Sequence, residues 1–301
     1  MSESRSRKPS LFCFGLGYSA LALARALQEE GWRITGTCRS EARREELGAL
    51  GIEAWLFDRE RPLADPAAAF AGSTYLLSSV PPDAAGDPVI DLCGPAIAAR
   101  RDLVWAGYLS TTGVYGDRRG RWVTEESHLA AQSVEGGRRV GAERDWLEVG
   151  RGMGLTVTVF RLPGIYGPGR SPFQRLRDGT ARRIIAPGQV FSRIHVEDIA
   201  GGLAASIARP RAGGIYNLCD DEPCPNGEVI AYAAGLLGRP APPEVALADA
   251  GLSPAASRFY AESKRVSNAR AKAELGWRPA YRSYREGLRA TLEAENRGGL
   301  A

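Results

Sequence analysis

The chain has 301 residues, 44% hydrophobic and 25% charged, an ordinary composition for a globular protein long enough for one large domain or two. Its 39 basic and 35 acidic side chains leave a net charge of only +4, so no basic field marks a nucleic-acid footprint. No uninterrupted apolar stretch reaches the roughly 20 residues needed to span a bilayer, so no membrane role is expected.

Residues 1–9 read as a flexible basic start. Behind them, "LFCFGLGYSALALARAL" (11–27) imitates a secretion leader, with an apolar run and small residues. Arg25 interrupts that run, and cleavage would strip a βαβ series of its first strand, so the stretch is read as strand, glycine turn and helix. The strand is "SLFCF"; the helix pattern runs through Leu21, Leu23, Ala24 and Leu27 and ends near Gly31. "RITGTC" follows as a second strand, and "SEARREELGALG" as a helix capped by Ser40 and stopped at Gly51. "EAWLF" and "STYLLSSV" are the third and fourth strands, "DPVIDLCGPAIAARR" a helix and "DLVWAGYLS" the fifth strand. A helix near 137–150 and the strand "LTVTVF" come next.

Apolar strands separated by helices imply a doubly wound parallel sheet, the Rossmann-type α/β fold. The second half is punctuated by proline and glycine at 163–172, 210–214, 223–227 and 238–243, with helices expected at 196–208, 226–237 and 284–296. The expected division is a dinucleotide-binding domain at 10–163 with 194–218. A small discontinuous substrate region, 164–193 with 219–301, would lie over the sheet's carboxyl edge, where such folds bind ligands.

The five cysteines are odd in number and scattered, and "NLCDDEPC" has no second pair and only two histidines in the chain to join it. Buried reduced thiols in a cytoplasmic protein are therefore expected, with neither a disulfide framework nor a metal site.

The turn Gly15-Leu16-Gly17-Tyr18-Ser19-Ala20 is a Gly-x-Gly-x-x-Ala pattern between a strand and a helix. Gly15 permits the tight turn, Gly17 lets the backbone approach a pyrophosphate, and Ala20 is small enough for close helix–strand packing. The helix start, with Tyr18 and Ser19, supplies amides and a positive dipole. An NAD site usually ends its second strand in an acid, yet here the strand runs into Arg39 and Ser40. Arg39 would attract a 2′-phosphate and Ser40 bond it, while also capping its helix. NADP is the expected cofactor, with NAD an alternative. Asp58, ending the third strand, would accept from the adenine amino group or simply start a turn. Ser79 and Pro81 stand where the chain turns sharply after the fourth strand.

Residues 109–116, "LSTTGVYG", resemble the extended short-chain dehydrogenase/reductases, the NAD(P)-dependent epimerase/dehydratase family. "RLPGIYGPGR" (161–170), "IHVEDIA" (194–200), "YNLCDDEP" (216–223) and "LGWRPAYRSYREGL" (275–288) occur in the family's order, so the resemblance covers nearly the whole chain. It implies a Rossmann sheet, a small C-terminal region closing on the substrate, and Pro163 among the cofactor contacts. It also implies catalysis by a Tyr-x-x-x-Lys pair assisted by a Ser/Thr, a role that maps onto Thr111. The pair itself is missing. In "SVEGGRRVGAERDW", aligning Glu143 with the family's glutamate puts Arg139 in the lysine's place and Glu135 in the tyrosine's, and no tyrosine stands between Tyr115 and Tyr166.

Arg139 can still hold ribose hydroxyls. Glu135 can accept a proton at neutral pH but donates poorly without burial, and Tyr115 is the nearest replacement acid. An exposed helical ion pair is the plain alternative for Glu135 and Arg139. Sugar-nucleotide enzymes of the family often place an arginine four residues before the "HV" histidine; Phe191 stands there, and Arg193 or the run at Arg182 and Arg183 would have to meet an anion instead. His195 reads as a junction residue rather than a base, and His128 as exposed. The expected protein is a cytoplasmic, NADP-preferring oxidoreductase or epimerase, monomeric or homodimeric, with a small hydroxylated and perhaps anionic substrate. The alternative is a nucleotide-binding sensor or scaffold without turnover.

Overall fold

Leu11, Phe12, Cys13 and Phe14 are all fully buried, as a strand covered on both faces requires. This strand, β1 (Ser10–Phe14), lies at the centre of the sheet in a computed structural model that describes residues 8–252, 257 and 259–298. The expected flexible start at 1–9 falls largely outside the described residues. In chain order come α1 (Tyr18–Glu29), β2 (Arg33–Cys38), α2 (Glu41–Ala49), β3 (Glu53–Leu56), α3 (Pro66–Ala69), β4 (Tyr75–Ser78), α4 (Pro88–Ala98) and β5 (Trp105–Thr111). They are followed by β6 (Trp122–Val123), α5 (Val134–Met153), β7 (Thr156–Leu162), β8 (Gly164–Tyr166), α6 (Phe173–Arg177), β9 (Arg183–Ile185), β10 (Arg193–His195), α7 (Val196–Ala208), β11 (Gly214–Asn217) and α8 (Asn226–Leu236).

Seven strands form one sheet in the order β11-β7-β5-β4-β1-β2-β3. β1 pairs in parallel with β2 (Phe12 opposite Thr35) and with β4 (Phe12 opposite Leu76). The strand order reverses at β1, so a crevice opens past the carboxyl ends of β1 and β4, at Gly15 and Ser79. This is the expected Rossmann-type α/β fold.

The chain divides into two compact units: Met1–Ser110 with Arg138–Phe160 and Leu203–Ile215, and Thr111–Gly137 with Arg161–Gly202 and Tyr216–Ala301. In the first, Phe12, Phe14 and Phe70 meet edge to face at 4.8–5.9 Å between ring centres. Trp146 stacks on Tyr108 at 5.9 Å and donates its indole N–H to Asp87 at 3.0 Å, so the α5 face is both packed and satisfied. The second unit has its own core, in which Tyr166, Phe173, Ile230, Ala233, Tyr284 and Leu288 are buried together.

Three local differences from the sequence reading matter for the site. Helix α5 starts at Val134 rather than near 137, because Ser133 Oγ accepts the Gly136 amide at 3.0 Å and offsets the poor helix propensity of Gly136 and Gly137. β3 stops at Leu56, so Asp58 sits in the loop beyond it. The short strands β8 and β10, three residues each and paired in parallel, have no counterpart in that reading.

Candidate functional site

In the first unit the turn after β1 is held from three sides. Thr37 Oγ1 accepts the Gly15 amide at 2.8 Å, Thr37 O accepts the Leu16 amide at 2.7 Å, and Ser79 Oγ donates to Gly15 O at 2.5 Å. Gly15 has φ +80°, and a Cβ there would meet Ser79 Oγ at 2.9 Å, so both conformation and space demand glycine. Gly17 differs. Nothing lies within 4 Å of a Cβ built on it, so its open face admits a ligand. No side chain caps the start of α1, whose first amides and dipole therefore suit a pyrophosphate.

A cavity of about 820 Å³ opens here, and Gly15, Gly17, Arg39, Ser40, Asp58, Ser79 and Pro81 all line it. Tyr18, Ser19 and Ala20 form the first turn of α1 and are not in the lining; Ser19 and Ala20 are buried beneath it. Ser40 Oγ caps α2 by accepting the Arg43 amide at 3.3 Å. Asp58 pairs with Arg61 at 2.8 Å, and Arg61 also donates to Arg39 O at 2.7 Å, which fixes the loop carrying Asp58. Among the lining residues that the sequence does not announce are two arginines. Arg43 reaches back to Leu16 O at 3.2 Å, and Arg59 clamps Asp83 at 2.5 Å and Asp91 at 2.7 Å, holding the Asp83 carboxyl below the usual range. Their i+3 and long-range contacts leave no motif to find.

Arg139, also in the first unit, donates through Nη1 to Leu109 O and to the Tyr108 hydroxyl at 3.1 Å. Its guanidinium lies 5.6 Å from the Tyr108 ring centre. Close by, Ser110 Oγ hydrogen-bonds the buried Glu143 carboxylate at 2.5 Å.

In the second unit, a cavity of about 450 Å³ is lined by Thr111, Glu135 and Pro163, together with Ser133, Glu262 and Lys264. Thr111 Oγ1 accepts the Gly113 amide at 3.1 Å, leaving its hydroxyl proton to give. Glu135 is exposed at the first turn of α5. Lys264, one of only three lysines among 39 basic residues, is 8% exposed and pairs with Glu262. No local pattern around residue 264 signals it, because its burial comes from tertiary packing.

Tyr115 does not join that cavity. It is fully buried, and its hydroxyl bonds Asn217 Oδ1 at 2.8 Å and Arg161 Nη1 at 3.0 Å; burial raises its pKa. His195 is likewise consumed: Nδ1 accepts the Glu197 amide at 3.3 Å and Nε2 lies 3.2 Å from Thr291 Oγ1. Burial lowers its pKa, which favours the neutral ring that these bonds need. His128 is exposed. Among the described residues no cluster of histidine, cysteine, aspartate or glutamate is arranged to hold a metal, and no helix is long and apolar enough to cross a membrane.

No family model matches the chain. A solved structure of a functionally unknown conserved protein from Silicibacter pomeroyi is 51% identical, with a TM-score of 0.88 over 95% of this chain and 99% of that one. A dTDP-glucose 4,6-dehydratase of Streptomyces griseus is 30% identical over 65% of this chain and 60% of its own length. A Methylobacillus flagellatus structure, provisionally described as an NAD-dependent epimerase/dehydratase, is 25% identical with a TM-score of 0.69 over 97% of this chain and all of that one. The chain is similar in sequence and fold to NAD-dependent epimerase/dehydratases. Glu135 stands in the first turn of α5 and Arg139 one turn further on, and the two cations Arg139 and Lys264 fall in different units.

Proposed function

We propose that this protein is an epimerase/dehydratase-like, NADP-preferring oxidoreductase or epimerase acting on a small hydroxylated or carbonyl substrate, with the cofactor in the first unit and the substrate in the second. The observation that carries the reading is the glycine turn after β1, whose uncapped helix start opens into a cavity flanked by Arg39, Ser40 and Arg43. A nicotinamide dinucleotide bound there supplies or accepts a hydride.

The preference for NADP rests on charge. No carboxylate ends β2, and Arg39 and Arg43 favour the extra 2′-phosphate while Ser40 donates to it. Asp58 would accept from the adenine amino group, and Arg139 would bind ribose with the N–H groups that Leu109 and Tyr108 do not occupy. Thr111 would orient the substrate oxygen through its hydroxyl. Glu135, an exposed carboxylate, would take a proton during oxidation or proton abstraction. The Lys264 ammonium, in the same cavity, would give one during reduction. Tyr115, committed to Asn217 and Arg161, would position the turn that follows Thr111.

Purified protein incubated with NADPH and a panel of aldehydes, ketones and sugar nucleotides tests the reading through nicotinamide absorbance. Saturable oxidation separates an enzyme from a passive nucleotide-binding scaffold. Turnover left unchanged by Thr111→Ala, Glu135→Gln and Tyr115→Phe, each made singly, would remove these residues from the reaction. Absence of calorimetric heat with either NADPH or NADH would remove the cofactor.

A further inference from the structure

Along one wall of the Thr111 cavity the alternate residues Glu262, Lys264 and Val266 line the space, as one face of an extended segment does. The residues between them are turned elsewhere: Ser263 Oγ accepts the Val190 amide at 3.1 Å, and Arg265 Nη1 donates to Gly120 O. The backbone of this segment is tied down along its length. The Ser263 amide donates to Asp117 Oδ1 at 2.8 Å, the Arg265 amide to Arg121 O at 3.0 Å, the Val266 amide to Ser192 Oγ at 2.9 Å and the Ser267 amide to Val123 O at 2.9 Å. The side chains of Glu262 and Lys264 therefore start from fixed places on the wall.

The Lys264 ammonium donates to Glu262 Oε2, and the two side chains are only 10% and 15% exposed. At such low exposure the pair is little screened. Asp117 stands near as well. Against the burial that would raise it, the amides of Arg119, Ser263 and Arg118 and the charge of Lys264 hold its carboxyl below the usual range. The ammonium is thus met by two acids of the protein itself, and Glu135 is a further acid in the lining. An arriving carboxylate would have to share one cation with Glu262 and would meet that carboxylate as a like charge. An arriving hydroxyl or carbonyl oxygen meets no such repulsion. An ammonium carries three N–H groups, so a neutral oxygen can accept from one while Glu262 keeps another. The Thr111 hydroxyl, with its proton left to give, suits the same oxygen.

We propose, resting on the functional reading above, that Glu262 is a specificity-determining residue: it balances the charge of Lys264 and so reserves this end of the cavity for an uncharged hydroxyl or carbonyl group, excluding a carboxylate. The reacting end of the substrate is that of a neutral alcohol, aldehyde or ketone, and not of a 2-hydroxy or 2-oxo acid. Discrimination of this kind comes from a repulsive element built into the site and not from a tighter fit to the favoured partner. Val190, Phe191 and Val266, in the same lining, lower the polarity around the pair and strengthen that repulsion.

The chain's lysines are few enough to report the site directly, since Lys8, Lys264 and Lys272 are its only three. In the full chain labelled with ¹³C-lysine, the Lys264 ε-carbon signal is assigned by its loss in Lys264→Met. Two probes share one carbon skeleton, neutral propane-1,2-diol and anionic lactate, and each is titrated at neutral pH after NADPH binding has been measured. In the wild type the diol is expected to move the Lys264 signal with an affinity at least about tenfold that of lactate. In Glu262→Gln lactate should gain about tenfold or more and the diol change by less than about threefold, and Glu262→Asp should restore the wild-type order. Lactate binding as tightly as the diol in the wild type overturns the proposal, as does a Lys264 signal that neither probe moves, or a lactate affinity unchanged in folded Glu262→Gln. If Glu262→Gln does not fold, the wild-type order decides alone. The diol preference without NADPH binding sinks the cofactor reading alone; NADPH binding without the preference sinks this inference alone.

Discussion

Replacing Asp220 with asparagine should make the protein more stable, and increasingly so as the pH rises. The side chain is 1% exposed, its Oδ1 accepts the Glu222 amide at 3.3 Å, and burial moves its pKa up to about 8. In the unfolded chain an aspartate titrates near pH 4. Between about pH 4 and pH 8 the native state therefore keeps a proton that the unfolded state releases, so stability declines across that window. The slope is about 1.4 kcal/mol for each pH unit, and four units set an upper limit of about 5 kcal/mol at pH 8. Above that the loss is complete and the curve is flat. Asparagine keeps the Oδ1 acceptor, matches the neutral acid in shape and cannot ionise, so Asp220→Asn escapes the decline. Urea denaturation of both proteins at several pH values measures the difference directly. Asp198, also buried and raised to about 6, is common to both and cancels. A difference that stays constant from pH 5 to pH 8 would refute the argument.

Three further expectations are simpler. Arg39→Ala should weaken NADPH binding by about tenfold and leave NADH binding unchanged, read by fluorescence titration, if the guanidinium meets the 2′-phosphate. Gly15→Ala forces a side chain into φ +80° against Ser79 Oγ; it should cost about 1–3 kcal/mol of stability in thermal unfolding and abolish dinucleotide binding in calorimetry. All five cysteines are buried, and burial raises every one of their thiol pKa values, Cys93 to about 12 and Cys224 to about 11. An aromatic disulfide reagent should therefore find no fast thiol in the native protein and five after denaturation.

The sheet was legible in the sequence because its strands are long apolar runs closed by glycine or a capped helix. "SLFCF" and "RITGTC" match β1 and β2 residue for residue, and the helix expected at 196–208 matches α7. β8 and β10 were not legible, since three residues carry no period to read. The glycine turn, Arg39, Ser40 and Ser79 could be brought to one crevice by the logic of strand ends alone. Arg193, Asp220 and Lys264 could not. Whether a charge is buried depends on segments distant in sequence, such as Cys224 and Gly287 around Arg193 and Tyr166, and a local pattern of polar residues says nothing about them. Tyr115 shows the same limit from the other side. Its place in "VYG" suggested an acid, while the partners that occupy its hydroxyl lie 46 and 102 residues away.

Arg59 bears on how the crevice past β1 would take up a guest. By tying Asp83, in the loop after β4, to Asp91 on α4, it fixes the rim before any guest arrives. A rim already fixed loses little freedom when a guest enters, so the entropic toll on association is small and capture is limited by diffusion and orientation more than by rearrangement. If the proposed coenzyme binds there, such a rim leaves the choice between pyridine nucleotides to the charges at the far edge rather than to how far the walls close.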